Sequence, residues 1–142
     1  MAKDYVSQAS TTVNAPVSDV WKALVDPAAI KQYMFGTNVT SDFKKGSKIT
    51  WKGEWQGKKY EDKGEILAIE PNKRFQYTHF SPLTGQKDSP ENYHTVTVEL
   101  APDGKGTRVS LSQNNNPTEE ERDHSTKNWE MMLSGLKKYV ER

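Results

Sequence analysis

The stretch 112-SQNNNPTEEERDHSTKNWEMMLSGLKKYVER-142 decides the fold, because a strand pattern ends in it and a long helix begins. Thr118 stands three residues before Glu121, which is capping-box spacing, and the run of glutamates suits the positive end of a helix dipole. One face of the predicted helix then carries Ser125, Trp129, Met132, Leu133, Leu136 and Val140 at i, i+3, i+4 spacing. A helix of about 23 residues measures roughly 35 Å at 1.5 Å per residue, so it is long enough to cross a sheet.

Upstream of this helix, from Gly36 to Asn114, the hydrophobic pattern has the period of two that is typical of strands. Strands are predicted at 38–43, 49–55, 59–70, 75–80, 93–100 and 108–113. The sequence 101–106 (APDGKG) predicts a turn, and the Pro- and Gly-containing stretch 81–91 predicts a loop. Consecutive strands with short connections predict an antiparallel meander.

The beginning of the chain predicts one more strand and two short helices. Residues 5–13 (YVSQASTTV) are small or β-branched, as in strands. Ser18 is a favourable N-cap for a first helix, which the Asp26-Pro27 pair ends. A second helix is predicted from Pro27 to about Tyr33. The expected architecture is α+β: a curved antiparallel sheet of about six to seven strands wrapped around the long C-terminal helix.

Length and charge restrict the class of protein. The chain has 142 residues and a formal net charge of +1, so we expect one domain, 1–142, and no nucleic-acid or membrane partner. Cysteine is absent, which excludes disulfides and thiolate chemistry and fits a reducing compartment. The first residues lack the apolar segment of a signal peptide. These features predict a cytoplasmic protein, which we expect to be a monomer.

The apolar composition is unusual. Hydrophobic residues make up 33% of the chain, although it holds four Trp, six Tyr and four Phe. Globular domains usually contain about 45–50% apolar residues when glycine is included. The sequence therefore predicts either a thin core or an interior that side chains do not fill completely.

Several segments together carry a resemblance to a known family. They follow one another through almost the whole chain: Val20-Trp21-Lys22-Ala23-Leu24, Asp26-Pro27, Asp42-Phe43-Lys44-Lys45-Gly46, Ile49-Thr50-Trp51, 64–71 (GEILAIEP), 77–83 (YTHFSPL), and Trp129 with Leu133 and Gly135-Leu136. With these segments the chain resembles the activator-of-heat-shock-protein-90-ATPase-like (Aha1-type) branch of the START-like, or helix-grip (SRPBCC), superfamily.

The resemblance implies a helix-grip fold with a cavity between the sheet and the C-terminal helix. Members of the superfamily use that cavity for lipids, sterols, polyketides or plant phenolics. Stand-alone members of this branch are mostly bacterial. The resemblance also implies a chaperone as an alternative partner, although the chain lacks the separate N-terminal domain of the eukaryotic co-chaperone.

Candidate ligand-binding residues come first from the aromatic set on the predicted strands and helix. Aromatic side chains offer large apolar area with a polar tip, which suits a planar ligand, and ordinary core packing is the alternative interpretation. The candidates are Trp51, Trp55, Tyr60, Phe75, Tyr77, His79 and Trp129, together with Met132 on the helix.

Polar residues on apolar strand faces form the second set of candidates. His94 has the parity of Val96 and Val98, and Gln113 has that of Leu111. Thr11 is a further inward candidate, whereas Asp62 has the parity opposite to Ile69 unless a bulge at Gly64 reverses it. Such groups either satisfy internal hydrogen bonds or anchor a ligand. We expect His94, and then Gln113, to orient the ligand.

No motif in the sequence indicates catalysis, a metal or a cofactor. The histidines lack metal-site spacing, and Glu120 with His124 is interpreted as a surface pair. No nucleophile elbow, phosphate loop or dinucleotide fingerprint occurs. The leading hypothesis is binding of a small apolar or aromatic ligand such as a lipid, a polyketide or a flavonoid-like compound. The alternatives are a chaperone-interaction module and, more weakly, a polyketide cyclase, which works largely by shaping its substrate.

Overall fold

The computed structural model describes residues 5–34, 36–55, 57–82 and 85–142, with the Trp55 side chain outside that description. Within these ranges, seven strands and three helices form in the order β1 (Tyr5–Val13), α1 (Val17–Leu24), α2 (Pro27–Tyr33), β2 (Asn38–Ser41), β3 (Lys48–Trp55), β4 (Lys58–Glu70), β5 (Arg74–His79), β6 (His94–Asp103), β7 (Gly106–Asn116) and α3 (Glu119–Glu141). A 3₁₀ turn, Pro90–Asn92, lies in the loop between β5 and β6. The predicted α+β class is confirmed.

All neighbouring strands are antiparallel, and their order in the sheet is β1-β7-β6-β5-β4-β3-β2. The six strands from β2 to β7 form the predicted meander, and β1 joins the far edge beside β7. Helix α3 lies across the face that carries Val13, Val98 and Val109, which we call the inner face. This is the predicted arrangement of a curved sheet around a C-terminal helix.

Helix α3 starts and ends where its sequence predicts. The Thr118 side chain accepts a hydrogen bond from the backbone N–H of Glu121 at 3.1 Å. Near the other end, Lys137 donates to the carbonyl of Thr12 at 2.7 Å, and Glu141 accepts from the N–H of Asn14 at 2.8 Å. The C-terminal half of the helix is therefore attached to the end of β1.

The start of α1 differs from the prediction. The helix begins at Val17 with Pro16 as its N-cap, so Ser18 lies inside the first turn and is not the cap. Proline has a φ near −61° here, which suits entry into a helix without a capping side chain. In α2, by contrast, the Asp26 carboxylate accepts from the N–H of Ala28 at 3.0 Å.

Strand ends are also shifted from their predicted positions. Strand β2 ends at Ser41 because Phe43 has a φ of 52°, outside the strand region. The predicted turn 101–106 is smaller, since β6 continues to Asp103 and β7 begins at Gly106. Strand β7 also continues through Asn116, where Asn115 has a φ of 58°, a conformation that asparagine tolerates better than most residues.

Strand β4 contains a bulge, but not at Gly64. Its pairing with β5 changes register between Ile66 and Ala68, so Leu67 is the extra residue. The bulge reverses the side-chain alternation and places Asp62, Ile66 and Ile69 on the inner face together. Gly64 has a different role, because a Cβ there would lie 1.7 Å from the carbonyl oxygen of Thr78. The β4 and β5 backbones approach each other closely at this point.

The inner face has two ends of different character. The closed end lies under α1 and the C-terminal half of α3, and consists of Val13, Val20, Val98, Val109 and Leu136, each at most 2% exposed. The polar end lies under the N-terminal half of α3, and consists of Asp62, His79, His94, Gln113, Asn116 and Trp129. Strand register separates the ends, since Phe75 pairs with Val98 whereas His79 pairs with His94.

Candidate functional site

A row of aromatic rings runs along the inner face from the closed end to the polar end. Trp21 on α1 meets Phe75 with ring centroids 6.4 Å apart and nearly perpendicular planes. Phe75 lies 5.1 Å from Tyr77, and Trp51 lies 5.2 Å from Tyr77 and 5.1 Å from His79. Strand parity brings these side chains together because Ile66 of β4 and Trp51 of β3 share their face. The row forms a continuous aromatic part of the core, in which Trp21, Phe75, Tyr77 and Trp51 are each at most 9% exposed.

Two histidines and an aspartate terminate this row. Asp62 Oδ2 lies 2.9 Å from Nε2 of His79, and the side chains are 16% and 28% exposed respectively. The His79 and His94 rings stack with centroids 6.4 Å apart. His94 Nδ1 donates to the carbonyl oxygen of Asn114 at 2.9 Å, because that oxygen can only accept. The bulge at Leu67 is what brings Asp62 into this group.

The environment of His94 favours its neutral form. Burial lowers the pKa of His94 below the ordinary histidine value, and the nearby His79 lowers it further. The hydrogen bond to Asn114 and the charge of Glu121 on α3 act in the opposite direction, but more weakly than burial. With Nδ1 protonated, Nε2 of the neutral ring carries a lone pair and acts as a hydrogen-bond acceptor.

Gln113 belongs to a hydrogen-bond network that ties α3 to the sheet. Trp129 Nε1 donates to Gln113 Oε1 at 2.7 Å, and Gln113 Nε2 donates to Asn116 Oδ1 at 3.2 Å. The Asn116 amide in turn donates to the Tyr5 carbonyl at 2.8 Å and to Ser7 Oγ at 3.0 Å. Gln113 thus fixes the orientation of the Trp129 indole over the polar end.

The remaining candidates lie at other places. The hydroxyl groups of Tyr60 and Thr37 are hydrogen-bonded at 2.6 Å, and the Tyr60 ring packs over Gly53. Tyr60 therefore lies close to the edge of the sheet that β2, β3 and β4 form. Met132 is buried on the sheet side of α3, and Thr11 is half-buried on β1. The predicted side-chain role of Trp55 falls outside the described residues.

The sequence interpretation missed Asn116 as an interior residue, although it is only 2% exposed. The sequence predicts a last strand that ends at 113, three residues before Asn116. The signal lies in the asparagine run itself, since asparagine accepts left-handed backbone and can turn the next side chain inward. The inward position of Asp62 cannot be predicted from parity alone, because it depends on the position of the bulge.

The loop between β5 and β6 is held against the opposite face of the sheet. Phe80 stacks on Tyr93 at 5.1 Å, Tyr93 donates its hydroxyl to Asp88 at 2.6 Å, and Asp88 also pairs with Lys63. These bonds lower the pKa of Asp88, with the Lys63 ammonium as the largest cause. Asn115 connects this loop to the polar end by donating to the carbonyl of Tyr93 at 2.9 Å.

Two surface concavities of the described chain have volumes of about 610 and 280 Å³. The larger lies on the outer face of the sheet and is lined mainly by charged residues, such as Arg74 and Arg108. The smaller lies beside α1, α2 and the C-terminal end of α3. Neither lies between the sheet and α3. The closed end is filled by side chains, and an interior space at the polar end stays a prediction.

The described residues lack two further features. No group of three or more His, Asp or Glu side chains there is arranged to hold a metal ion. No helix in the same part of the chain has the length and apolar character needed to span a membrane.

Comparison with solved structures gives the same architecture. The solution structure of ChR145 from Cytophaga hutchinsonii is 56% identical, with a TM-score of 0.85, covering 99% of this chain and 96% of that one. Protein CV1439 from Chromobacterium violaceum is 23% identical, with a TM-score of 0.79, covering 96% and 97%. CalU16 from Micromonospora echinospora is 21% identical, with a TM-score of 0.71, covering 97% and 85%. The last two similarities concern the fold alone.

A search of curated proteins gives no match. The family model described as "Activator of Hsp90 ATPase homolog 1-like protein" matches residues 14–141. That range includes all ten predicted binding residues, eight of them on strands and two on α3. The predicted resemblance is confirmed. The chain belongs to the family of activator of Hsp90 ATPase homolog 1-like proteins.

Proposed function

We propose that the chain binds a small apolar or aromatic molecule, such as a lipid, a polyketide or a flavonoid-like compound, between the sheet and α3. The observation that carries the proposal is the ring row of the inner face, which ends in half-buried polar groups at the polar end. Binding sites for small molecules are typically apolar surfaces with a few convergent polar groups. The closed end is packed, so the ligand would enter and lie at the polar end.

The energetic character of the polar end supports this proposal. Burying polar groups costs free energy unless every group finds a partner, and Asp62 Oδ1 is buried without one within the described chain. A domain selected for stability alone would gain by placing apolar side chains there, as it does at the closed end. Retained polar groups with free bonding capacity fit a site whose partner is a ligand.

The proposed roles of the residues follow from their positions. Trp51 and Tyr77 supply apolar contact from the sheet, with Phe75 packed behind Tyr77 toward the closed end. Trp129 and Met132 supply apolar contact from α3. His79 and His94 are the polar anchors. Gln113 acts through Trp129, whose indole it orients at 2.7 Å. Tyr60 is proposed as the border of the site on the β3–β4 side.

A steric plug tests this placement. Ser125 is half-buried on the sheet-facing stripe of α3, one turn before Trp129, whereas Ser134 is exposed on the same helix. Ser125→Trp is expected to obstruct the polar end, and Ser134→Trp is the matched control. A library of lipids and aromatic compounds is screened by measuring the melting temperature of each chain at increasing compound concentration. A saturable increase indicates binding, since a ligand that binds only the folded state stabilises it. Compounds that stabilise the wild-type chain should stabilise S134W equally and S125W much less.

Two results would contradict the proposal. One is a library in which no compound stabilises the wild-type chain in a saturable way. The other is a set of compounds that stabilise S125W and the wild-type chain to the same extent, which would place the binding site elsewhere.

The family match keeps a chaperone interaction as the second candidate function. Such a module acts through exposed surface, and the large exposed apolar side chains of the described residues are Val6 and Met131. Titration against the middle domain of heat-shock protein 90, with ATPase rate as the readout, tests it. An increased ATPase rate that M131A or V6A reduces would favour this candidate, and no binding with no rate change would remove it.

A cyclase-type activity is the third and weakest candidate. The Asp62–His79 pair has the carboxylate–imidazole geometry of a general base, at 2.9 Å. Turnover of a linear polyketide substrate analogue that H79F abolishes without lowering the melting temperature would support catalysis. Binding of such an analogue without turnover would leave the chain a binding protein.

A further inference from the structure

Donors and acceptors are unevenly distributed at the polar end. On its β1–β7–α3 side, the donors are used within the protein. Trp129 donates to Gln113, Gln113 to Asn116, and Asn116 to Tyr5 and Ser7. The Ser7 hydroxyl donates to the carbonyl of Arg122 on α3 at 3.1 Å, which completes the set. This side of the site therefore has few hydrogens left to offer a ligand.

On the β4–β6 side, acceptors remain unused. His94 uses Nδ1 on the Asn114 carbonyl, and no described residue donates to its Nε2. His79 uses Nε2 on Asp62, and its Nδ1 has no bond to the described chain either. In the described chain, the fully buried side-chain polar atom that lacks a partner is Asp62 Oδ1. The two histidine nitrogens without a bond are therefore not fully buried, so both face accessible space.

Tyr77 is the neighbouring hydroxyl that could supply a hydrogen, but it does not. Its hydroxyl makes no hydrogen bond to the described residues. Burial raises the pKa of Tyr77 well above its ordinary value, so the group stays a neutral phenol. The unused acceptors are thus left to whatever enters the site.

We propose that the polar end selects ring compounds that carry a hydroxyl group, phenols or enols, and that this hydroxyl donates its hydrogen to Nε2 of His94. The ring would lie along Trp51 and Tyr77, and the hydroxyl would lie beside the stacked His79 and His94 rings. This inference rests on the proposed function, and adds to it the chemical class of the ligand. A purely apolar ligand would leave the same acceptors without partners.

A matched pair of probes isolates the hydroxyl. 2-Naphthol and 2-methoxynaphthalene share a ring system, but only the first has a hydrogen to donate. Their dissociation constants are measured by calorimetric titration on the wild-type chain and on His94→Phe, which keeps a ring and loses the acceptor. His124→Phe, at an exposed position on α3, is the control. The ratio of the two constants is compared between chains because the ether is intrinsically the more apolar compound.

In H94F, the affinity for 2-naphthol relative to 2-methoxynaphthalene is expected to fall by about five- to tenfold, because this is the size of one hydrogen bond. In H124F the ratio of the two dissociation constants should stay unchanged. A wild-type chain titrated at lower pH should lose affinity for 2-naphthol alone, because protonated His94 cannot accept at Nε2. The charged groups facing His94 are His79 on β5, Asp62 on β4 beyond it, and Glu121 on α3.

Two outcomes overturn this inference, and they differ in what they leave standing. If both probes bind and the ratio is the same in H94F, hydroxyl selection by His94 is wrong while ligand binding stands. If neither probe binds but hydroxyl-free library compounds stabilise the chain, the hydroxyl class is wrong and the site itself survives. Should H94F fail to fold, the pH dependence of the two probes on the wild-type chain decides in the same way.

Discussion

The closed end and the polar end belong to the same sheet and lie under the same helix, yet they differ in almost every physical respect. At the closed end, Val20, Val109 and Leu136 are fully buried. At the polar end, His79 keeps 28% of its side chain exposed, and one buried oxygen of Asp62 has no partner among the residues that the structure describes. Under the proposed function, stability and recognition would be assigned to different halves of one interface, since the second arrangement costs free energy that the first supplies.

The largest expected effect tests the stabilising role of the closed end. Leu136→Ala removes a fully buried side chain of α3 and should lower the free energy of unfolding by about 2–5 kcal/mol, measured by urea titration. Met131→Ala, on the exposed side of the same helix, should change it by less than about 0.5 kcal/mol. Equal effects of the two variants would break the distinction between the faces of α3.

The next effect tests the backbone that supports the polar end. Gly64→Ala would place a Cβ 1.7 Å from the Thr78 carbonyl oxygen, so β4 and β5 must separate. We expect a loss of about 1–3 kcal/mol in the free energy of unfolding, as for other overpacked sites. Glu65→Ala, at the exposed neighbouring residue, is the control. A G64A chain as stable as wild type would mean that the two strands are not in close contact there.

A smaller effect is expected where the helix and the polar end are joined. Gln113→Leu keeps the size of the side chain but leaves Trp129 Nε1 and Asn116 Oδ1 without their partners. The expected loss is roughly 1–2 kcal/mol in the free energy of unfolding. The Trp129 indole should also become more mobile, which lowers the tryptophan fluorescence anisotropy of Q113L relative to the wild-type chain. Gln8→Leu on the exposed side of β1 should do neither, and a rigid, unaltered Trp129 in Q113L would speak against the network.

The smallest effect is a pH dependence. The pKa of His94 is lowered in the folded chain, chiefly by burial, so the unfolded chain binds the proton more readily. Stability from this group is complete above the ordinary histidine pKa of about 6.5, and is lost as pH falls from there toward the folded-state value. His94→Phe should flatten the curve of unfolding free energy against pH in that window. An unchanged slope in H94F would show that His94 is not desolvated.

The two ends also differ in how well the sequence predicts them. Alternation and helical spacing predicted the closed end well, since Val98, Val109 and Leu136 obey regular periods, and α3 starts at its predicted cap. The polar end depends on departures from regularity: the bulge at Leu67 and the left-handed Asn115. Periodicity alone cannot position such irregularities, because one inserted residue reverses every side chain beyond it.

The tryptophans offer the most direct test of the central claim, that ligands bind at the polar end. Trp21 belongs to the closed end of the ring row, whereas Trp51 and Trp129 line the polar half. In a titration of the ¹⁵N-labelled chain with 2-naphthol, followed by the indole N–H signals in NMR spectra, Trp51 and Trp129 should shift along one saturating curve while Trp21 stays nearly fixed. A saturable shift confined to Trp21, or no saturable shift of any indole, would contradict the claim.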